Sequence, residues 1–237
     1  MDLAKIAPRY SRVKGASWFP LLFERDVMVL GQGGIGSWLT LLLARIGCNL
    51  HTFDMDRFED HNMTGQFISK EYIGINKSEA IANLVSEFTS ANIQCNPEAY
   101  TEDSFSNNIM ICGFDNMKAR KIAFENWVKN LDGKSDSNAF FQDGRLLAEQ
   151  LQIFNIPGDR PDLIDRYQKN YLFSDEEIAE VDCTFKQTSH CAAMIASHMV
   201  GFLTNWASNA DRISNGKMGG RIIPFSYEYL IPANITI

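Results

Sequence analysis

Near the start of the chain, Gly31-Gln32-Gly33-Gly34-Ile35-Gly36 fits the pattern G-x-G-x-x-G. Glycines at this spacing let a backbone turn tightly and approach a phosphate with no Cβ in the way. A helix that opens on such a loop adds unpaired N–H groups and a partial positive charge at its N-terminus. Asp54 closes the next apolar run, where a carboxylate can accept from ribose hydroxyls. NAD, FAD and ATP users on similar sheets share this arrangement, and a glycine turn without a ligand is its bland alternative.

The residues that follow favour ATP. Asp54-Met55-Asp56 lead to Asn62 and Gln66, then to Lys77 at the head of a helical pattern, and Asp115 follows the apolar run Ile109 to Cys112. A simple dehydrogenase needs no lysine and second carboxylate facing phosphates. An adenylating enzyme does: it holds a triphosphate with cations, coordinates Mg²⁺ through a carboxylate and stabilises charge as pyrophosphate leaves.

These residues need a scaffold, and the hydrophobic pattern supplies one. Asp26 to Leu30 reads as a buried strand, Ser37 to Ile46 as a mostly buried helix stopped by Gly47, and Leu50 to Phe53 as the next strand. Lys77 to Phe88 reads as a helix, Ile93 to Cys95 and Ile109 to Cys112 as strands, Met117 to Val128 as a helix and Ala139 to Phe141 as a strand. This alternation predicts an α/β, Rossmann-like, doubly wound and mainly parallel sheet. Beyond Gly144, Leu146 to Ile156 reads as a sheet-edge strand, Pro157 to Val181 as a long loop or lid, Ala192 to Trp206 as a packed helix and Ile222 to Ile231 as antiparallel edge strands. The expected organisation is one domain over 1–237, with an N-terminal arm (1–24), a nucleotide-binding half (25–145) and a substrate-facing half (146–237).

The composition is that of an ordinary globular chain, 45% hydrophobic and 22% charged over 237 residues. A net charge of -7 with no basic cluster argues against nucleic acid as a partner. No apolar run has the length of a membrane span, and the first residues lack a signal peptide's apolar core, so a cytoplasmic location is expected. The five cysteines, Cys48, Cys95, Cys112, Cys183 and Cys191, are odd in number and scattered, unlike a disulfide framework. Cys95 and Cys112 read as small buried hydrophobes and His198 as a packing residue in an apolar helix. Arg145, in Asp143-Gly144-Arg145, is placed to touch a substrate tail or phosphate, or to pair with an acid in the following loop.

Taken in order, Arg9-Tyr10-Ser11-Arg12, Gly31 to Ser37, Asp54-x-Asp56, Asn62 to Gln66, Lys77, Asp115 to Arg120 and Asp182-Cys183-Thr184 resemble the ThiF/MoeB/HesA family, relatives of the ubiquitin-activating enzymes. The resemblance runs from Arg9 to about Trp206. It implies that Gly31, Gly33, Gly34 and Gly36 form the phosphate loop, that Asp54 binds the ribose, and that Asn62 and Lys77 contact phosphates. It places Asp56, Gln66 and Asn116 among the nucleotide-binding residues and gives Mg²⁺ to Asp115. Arg12 looks like the arginine that reaches across a dimer interface to the partner's ATP, which implies a homodimer. Cys183 sits where some members use a covalent cysteine, with Lys186 and His190 near in sequence. The implied substrate is a small ubiquitin-like or sulfur-carrier protein ending in Gly-Gly.

Two departures stand out. Asn62-Met63-Thr64-Gly65-Gln66 has Gly65 where the family usually has an arginine, so a phosphate cation is missing unless Arg57 or Lys70 replaces it. No Cys-x-x-Cys pair occurs, so the family's zinc site is not expected; Cys183, His190 and Cys191 lack its spacing. The rival functions are a nucleotide-binding scaffold with weak or no turnover and an NAD-binding oxidoreductase.

Overall fold

The computed structural model describes residues 6–147, 150–173, 188–214 and 223–230. Seven strands form one sheet in the order β3-β2-β1-β4-β5-β6-β7. They are β1 (Asp26–Leu30), β2 (Asn49–Phe53), β3 (Ile93–Asn96), β4 (Ile109–Cys112), β5 (Phe140–Leu147), β6 (Gln150–Pro157) and β7 (Ser226–Leu230). The first five run parallel, and β6 and β7 add antiparallel strands beyond β5. This is the expected doubly wound α/β architecture with an antiparallel C-terminal edge.

Helices cover both faces. On one side lie α1 (Phe19–Leu22), α2 (Gly34–Arg45), α3 (Lys77–Ser86) and α6 (Ser189–Ser214), over a core that includes Val27, Val29, Leu39, Ile81, Ile111 and Met199. On the other lie α4 (Met117–Asn130) and α5 (Pro161–Asn170), over Met28, Leu30, Met110, Cys112, Phe124, Trp127 and Phe154. Successive residues of β1 and β4 thus enter opposite cores, which is why these strands are continuously apolar rather than alternating. The N-terminal arm is also packed: Phe19 and Leu22 are fully buried, and Tyr10 meets Phe23 edge-on.

Three expectations are corrected. The stretch Leu146 to Ile156 is not one edge strand. Its first residues complete β5, and its remainder forms β6, which β7 covers. Leu151 and Ile153 of β6 face one core and Phe154 and Ile156 the other, the mark of an interior strand. The stretch Pro157 to Val181 is not wholly a loop, since it contains α5. That helix has Pro161 in its first turn, Asp162 beside it and a narrow apolar stripe of Leu163, Ile164 and Tyr167. Its polar majority hides that stripe from a composition-based reading. Cys95 is exposed, because β3 is the edge strand and its two central side chains are exposed. Residues 174–187, and Cys183 and Lys186 with them, lie outside the described residues.

Candidate functional site

Strand order reverses at β1, with β2 and β3 to one side and β4 and β5 to the other. In open parallel sheets ligands bind at such a switch point, beyond the carboxyl ends of the strands. A cleft of about 640 Å³ opens there. Gly31, Gly33, Gly34, Asp54, Asp56, Gln66, Lys77, Asp115, Asn116 and Arg145 all line it.

Each glycine of the loop has its own reason. Gly31 has φ +84°, a left-handed conformation that ends β1 without strain only in glycine. A Cβ on Gly36 would lie 1.7 Å from the Gly31 carbonyl oxygen, so this position closes α2 against the loop. A Cβ on Gly33 would meet nothing within 4 Å. Space is therefore open at the middle glycine, where a ligand must approach the backbone. No side chain caps α2 at Gly33, which leaves its first N–H groups to an incoming anion.

Asp54 fastens this loop. Its Oδ2 accepts from the Gln32 N–H at 2.6 Å and its Oδ1 from the Asp56 N–H at 2.8 Å. Burial lifts its carboxyl above the ordinary range, against the pull of those two donors and of Lys77. Lys77 begins α3, and its Nζ donates to Asp56 Oδ2 at 3.2 Å. Asn76 sets this helix start. Its Oδ1 accepts from the Ser78 and Glu79 N–H groups, and its Nδ2 donates to the carbonyls of Asp54 and Asp56. Gln66 is buried against the cleft with no partner for Oε1 among the described residues. On the far side, Asp115 is exposed at the cleft wall and Asn116 caps α4 through the Ala119 N–H. An accessible carboxylate such as Asp115 suits Mg²⁺ that arrives on a polyphosphate, since that ion keeps most of its shell in water and phosphate. Among the described residues no cluster of His, Cys, Asp and Glu builds a metal cage.

Among the described residues, three predicted ones do not line the cleft: Gly36, which packs against Gly31, and two that lie elsewhere. Asn62 does not line the cleft; its Oδ1 accepts from the Glu59 N–H at 2.9 Å in a capping box. Arg12 is exposed and also outside the cleft. Gly65 is buried, its carbonyl accepts from Trp38 Nε1, and its φ of -128° is open to other residues. Neither Arg57 nor Lys70 takes the place of the missing arginine. Arg57 donates to the Gly74 carbonyl, and neither residue lines the cleft.

The back wall carries a cluster that sequence reading did not assemble. Asp143 is fully buried, with Arg120 Nη1 on Oδ1, and with Arg145 Nε at 2.7 Å and the Tyr167 hydroxyl at 2.8 Å on Oδ2. Arg120 also donates to the carbonyls of Phe114 and Gly144. Burial pushes the Asp143 carboxyl up, but the two guanidiniums outweigh it and hold the group below its usual range. Burial, and then the Asp143 charge, drive Tyr167 well above the ordinary tyrosine range, so it stays a donor. Among the described residues, the acid that Arg145 pairs with is Asp143 on its own strand. Asn76 was not singled out from the sequence, although a polar residue directly before a helical pattern is a local signal for a cap. The Arg120–Asp143–Tyr167 contacts join positions far apart in sequence and leave no local signal.

This fold and cleft define a doubly wound α/β protein with a glycine loop lining a cleft at its switch point. The chain belongs to the ThiF family, whose model matches residues 20–217. The NEDD8-activating enzyme E1 catalytic subunit of Arabidopsis thaliana is 34% identical over 135 residues, 51% of this chain and 30% of that protein. The chain thus spans under a third of that relative's length. E. coli MccB, solved with ATP, superposes with a TM-score of 0.61 at 19% identity, covering 86% of this chain and 65% of that one. E. coli TcdA, a tRNA N6-threonylcarbamoyladenosine dehydratase, gives 0.64 at 16% identity, covering 89% and 96%. At these identities the two structures share the fold.

Proposed function

We propose that this chain uses ATP to adenylate the C-terminal carboxylate of a small ubiquitin-like or sulfur-carrier protein ending in Gly-Gly. The observation that carries the reading is the meeting in one cleft of the open position at Gly33, the ribose acceptor Asp54, the cation Lys77 and the carboxylate Asp115. A dinucleotide site accounts for the first two only. The relative that activates NEDD8 and the MccB structure with ATP favour the same reaction class.

In this reading the α2 N-terminus and Lys77 hold the triphosphate, and Asp54, itself held by the Gln32 N–H, fixes the ribose end. Asp115 would hold Mg²⁺, which would supply charge neutralisation on the phosphates. A substrate carboxylate oxygen bonds to the α-phosphorus, the bond to the bridging oxygen breaks, and its electron pair leaves with pyrophosphate. The protein's contribution is alignment and electrostatic support. Arg12 serves the partner's site in a homodimer, Asn62 moves onto the phosphates when nucleotide binds, and Cys183 is the candidate acceptor for a later acyl transfer. A cytoplasmic location fits this reading. No described helix is long and apolar enough to cross a membrane.

Gly65 favours a second reading, a nucleotide-binding protein without turnover. The cations lining the cleft are Lys77, Arg120 and Arg145 among the described residues, and Arg120 is committed to Asp143 and two carbonyls.

Thermal shift with ATP, NAD and Mg²⁺, followed by pyrophosphate release with Gly-Gly-terminated carriers, tests both. ATP stabilisation with release supports adenylation, and stabilisation without release against any carrier supports the second reading. Stabilisation by NAD alone overturns both.

A further inference from the structure

Across the sheet the cleft presents its groups in a fixed order. Asp54 follows β2, the glycine loop follows β1, Asp115 follows β4, and Arg145 stands on β5. Neighbouring strands lie about 4.8 Å apart, so β5 is about 10 Å from the glycine loop's strand. A nucleotide anchored at Asp54 with phosphates on the loop lies on one side of β4, and Arg145 faces it from the other.

Arg145 is built to hold a fixed direction. Nε donates to Asp143, and Nη2 donates to the Tyr171 carbonyl at 2.7 Å and lies 3.4 Å from the Tyr167 hydroxyl. The guanidinium lies over the Phe154 ring at 4.8 Å and near Phe173 at 5.7 Å. Nη1 has no partner among the described residues. Among the described residues the charge is not balanced either: Arg120 and Arg145 share the carboxylate of Asp143, which leaves one buried positive charge over at the cleft wall. The Arg145 side chain is only 15% exposed, so that charge is poorly screened by water and favours an anion in the cleft. Its neighbours there, Leu147, Gln150, Gln152 and Phe173, mix apolar contact with amide groups, a lining suited to a peptide rather than to a phosphate chain.

We propose that Arg145 receives the carboxylate of the acyl substrate through Nη1 and lowers its repulsion from the nucleotide phosphates as the two anions are brought together. This rests on the adenylation reading and adds to it the residue that holds the second substrate.

The test uses the full chain with Mg²⁺ and α,β-methylene-ATP, which cannot release pyrophosphate, and a peptide ending in Gly-Gly as free acid or C-terminal amide. Calorimetry gives each affinity for the wild type, for Arg145→Gln, which is neutral and can still donate to Asp143, and for Arg145→Lys. The expected result is that the wild type binds the acid about tenfold tighter than the amide, Gln removes the preference and Lys keeps part of it, as expected for a charge-assisted contact. Nucleotide affinity should stay within about threefold throughout, well under the 1.4 kcal/mol that a tenfold change represents. A tenfold loss of nucleotide affinity in Arg145→Gln would place Arg145 on the phosphates and overturn the inference. So would wild-type protein that binds acid and amide alike while still binding nucleotide. Wild-type protein that binds no nucleotide sinks the adenylation reading itself, a result separable from the other two.

Discussion

The Gln32 N–H donates to Asp54 Oδ2 at 2.6 Å, so the residue that closes β2 also pins the loop that follows β1. One carboxylate thus shapes the glycine loop and, in the proposed function, offers the ribose acceptor beside it. Its raised pKa carries a sign. A carboxyl that ionises less readily folded than unfolded adds stability at low pH, and this is lost as pH rises from the ordinary value of about 3.9 through the raised one. Asp54→Asn should flatten that part of the melting temperature–pH curve and weaken ATP binding by about tenfold, ~1.4 kcal/mol. Melting curves from pH 3 to 8 and calorimetry check the two halves separately.

The glycines predict opposite failures. Gly33→Ala should leave the melting temperature within about 2 °C yet weaken ATP binding, because its new methyl projects into open cleft. Gly36→Ala should cost about 3 kcal/mol of stability, because its methyl meets the Gly31 carbonyl. Equal effects of the two on stability would contradict this assignment.

Asp143 should be among the most costly residues to remove. Asp143→Ala leaves two guanidiniums buried without their counter-charge, a loss of about 3–5 kcal/mol by urea unfolding. In the wild type its lowered pKa contributes stability present above the ordinary carboxylate pKa and lost as pH falls through the lowered value. Acid unfolding should therefore begin at higher pH in Arg120→Met, where one of the two cations is gone.

The cysteines should separate under a thiol reagent. Burial pushes both Cys48 and Cys112 up to about 12, with the Asp143 charge adding to the rise at Cys112. Peptide mapping after maleimide treatment of native protein should find Cys95 modified and Cys48 and Cys112 intact until denaturant is added.

Much of this was legible because its causes are local. The run Asp26 to Leu30, the glycines behind it and the polar residue closing the next strand are each set by a few neighbours, and the parallel sheet follows from their repetition. The helix α5 was not legible, because its apolar stripe is narrow among polar neighbours. Exposure of Cys95 was not legible either, since it depends on β3 being an edge, a property of strand order. The Asp143 cluster needs residues from β5, α4 and α5 brought together by tertiary packing, and no window of sequence contains it.

The pairing of β5 has a consequence for how the gene can vary in length. Along this strand Asp143 and Arg145 turn toward Tyr167 of α5, while Gly144 and Leu146 turn toward the core beneath α6, where a Cβ at Gly144 would lie 2.6 Å from the Met199 sulfur. Deleting one codon between Phe141 and Arg145 would exchange the two sets, driving a guanidinium into the space that only a hydrogen now fits. Lineages can thus exchange an exposed side chain of β5 such as Leu147 without disturbing its register, but cannot add or drop single residues within the strand.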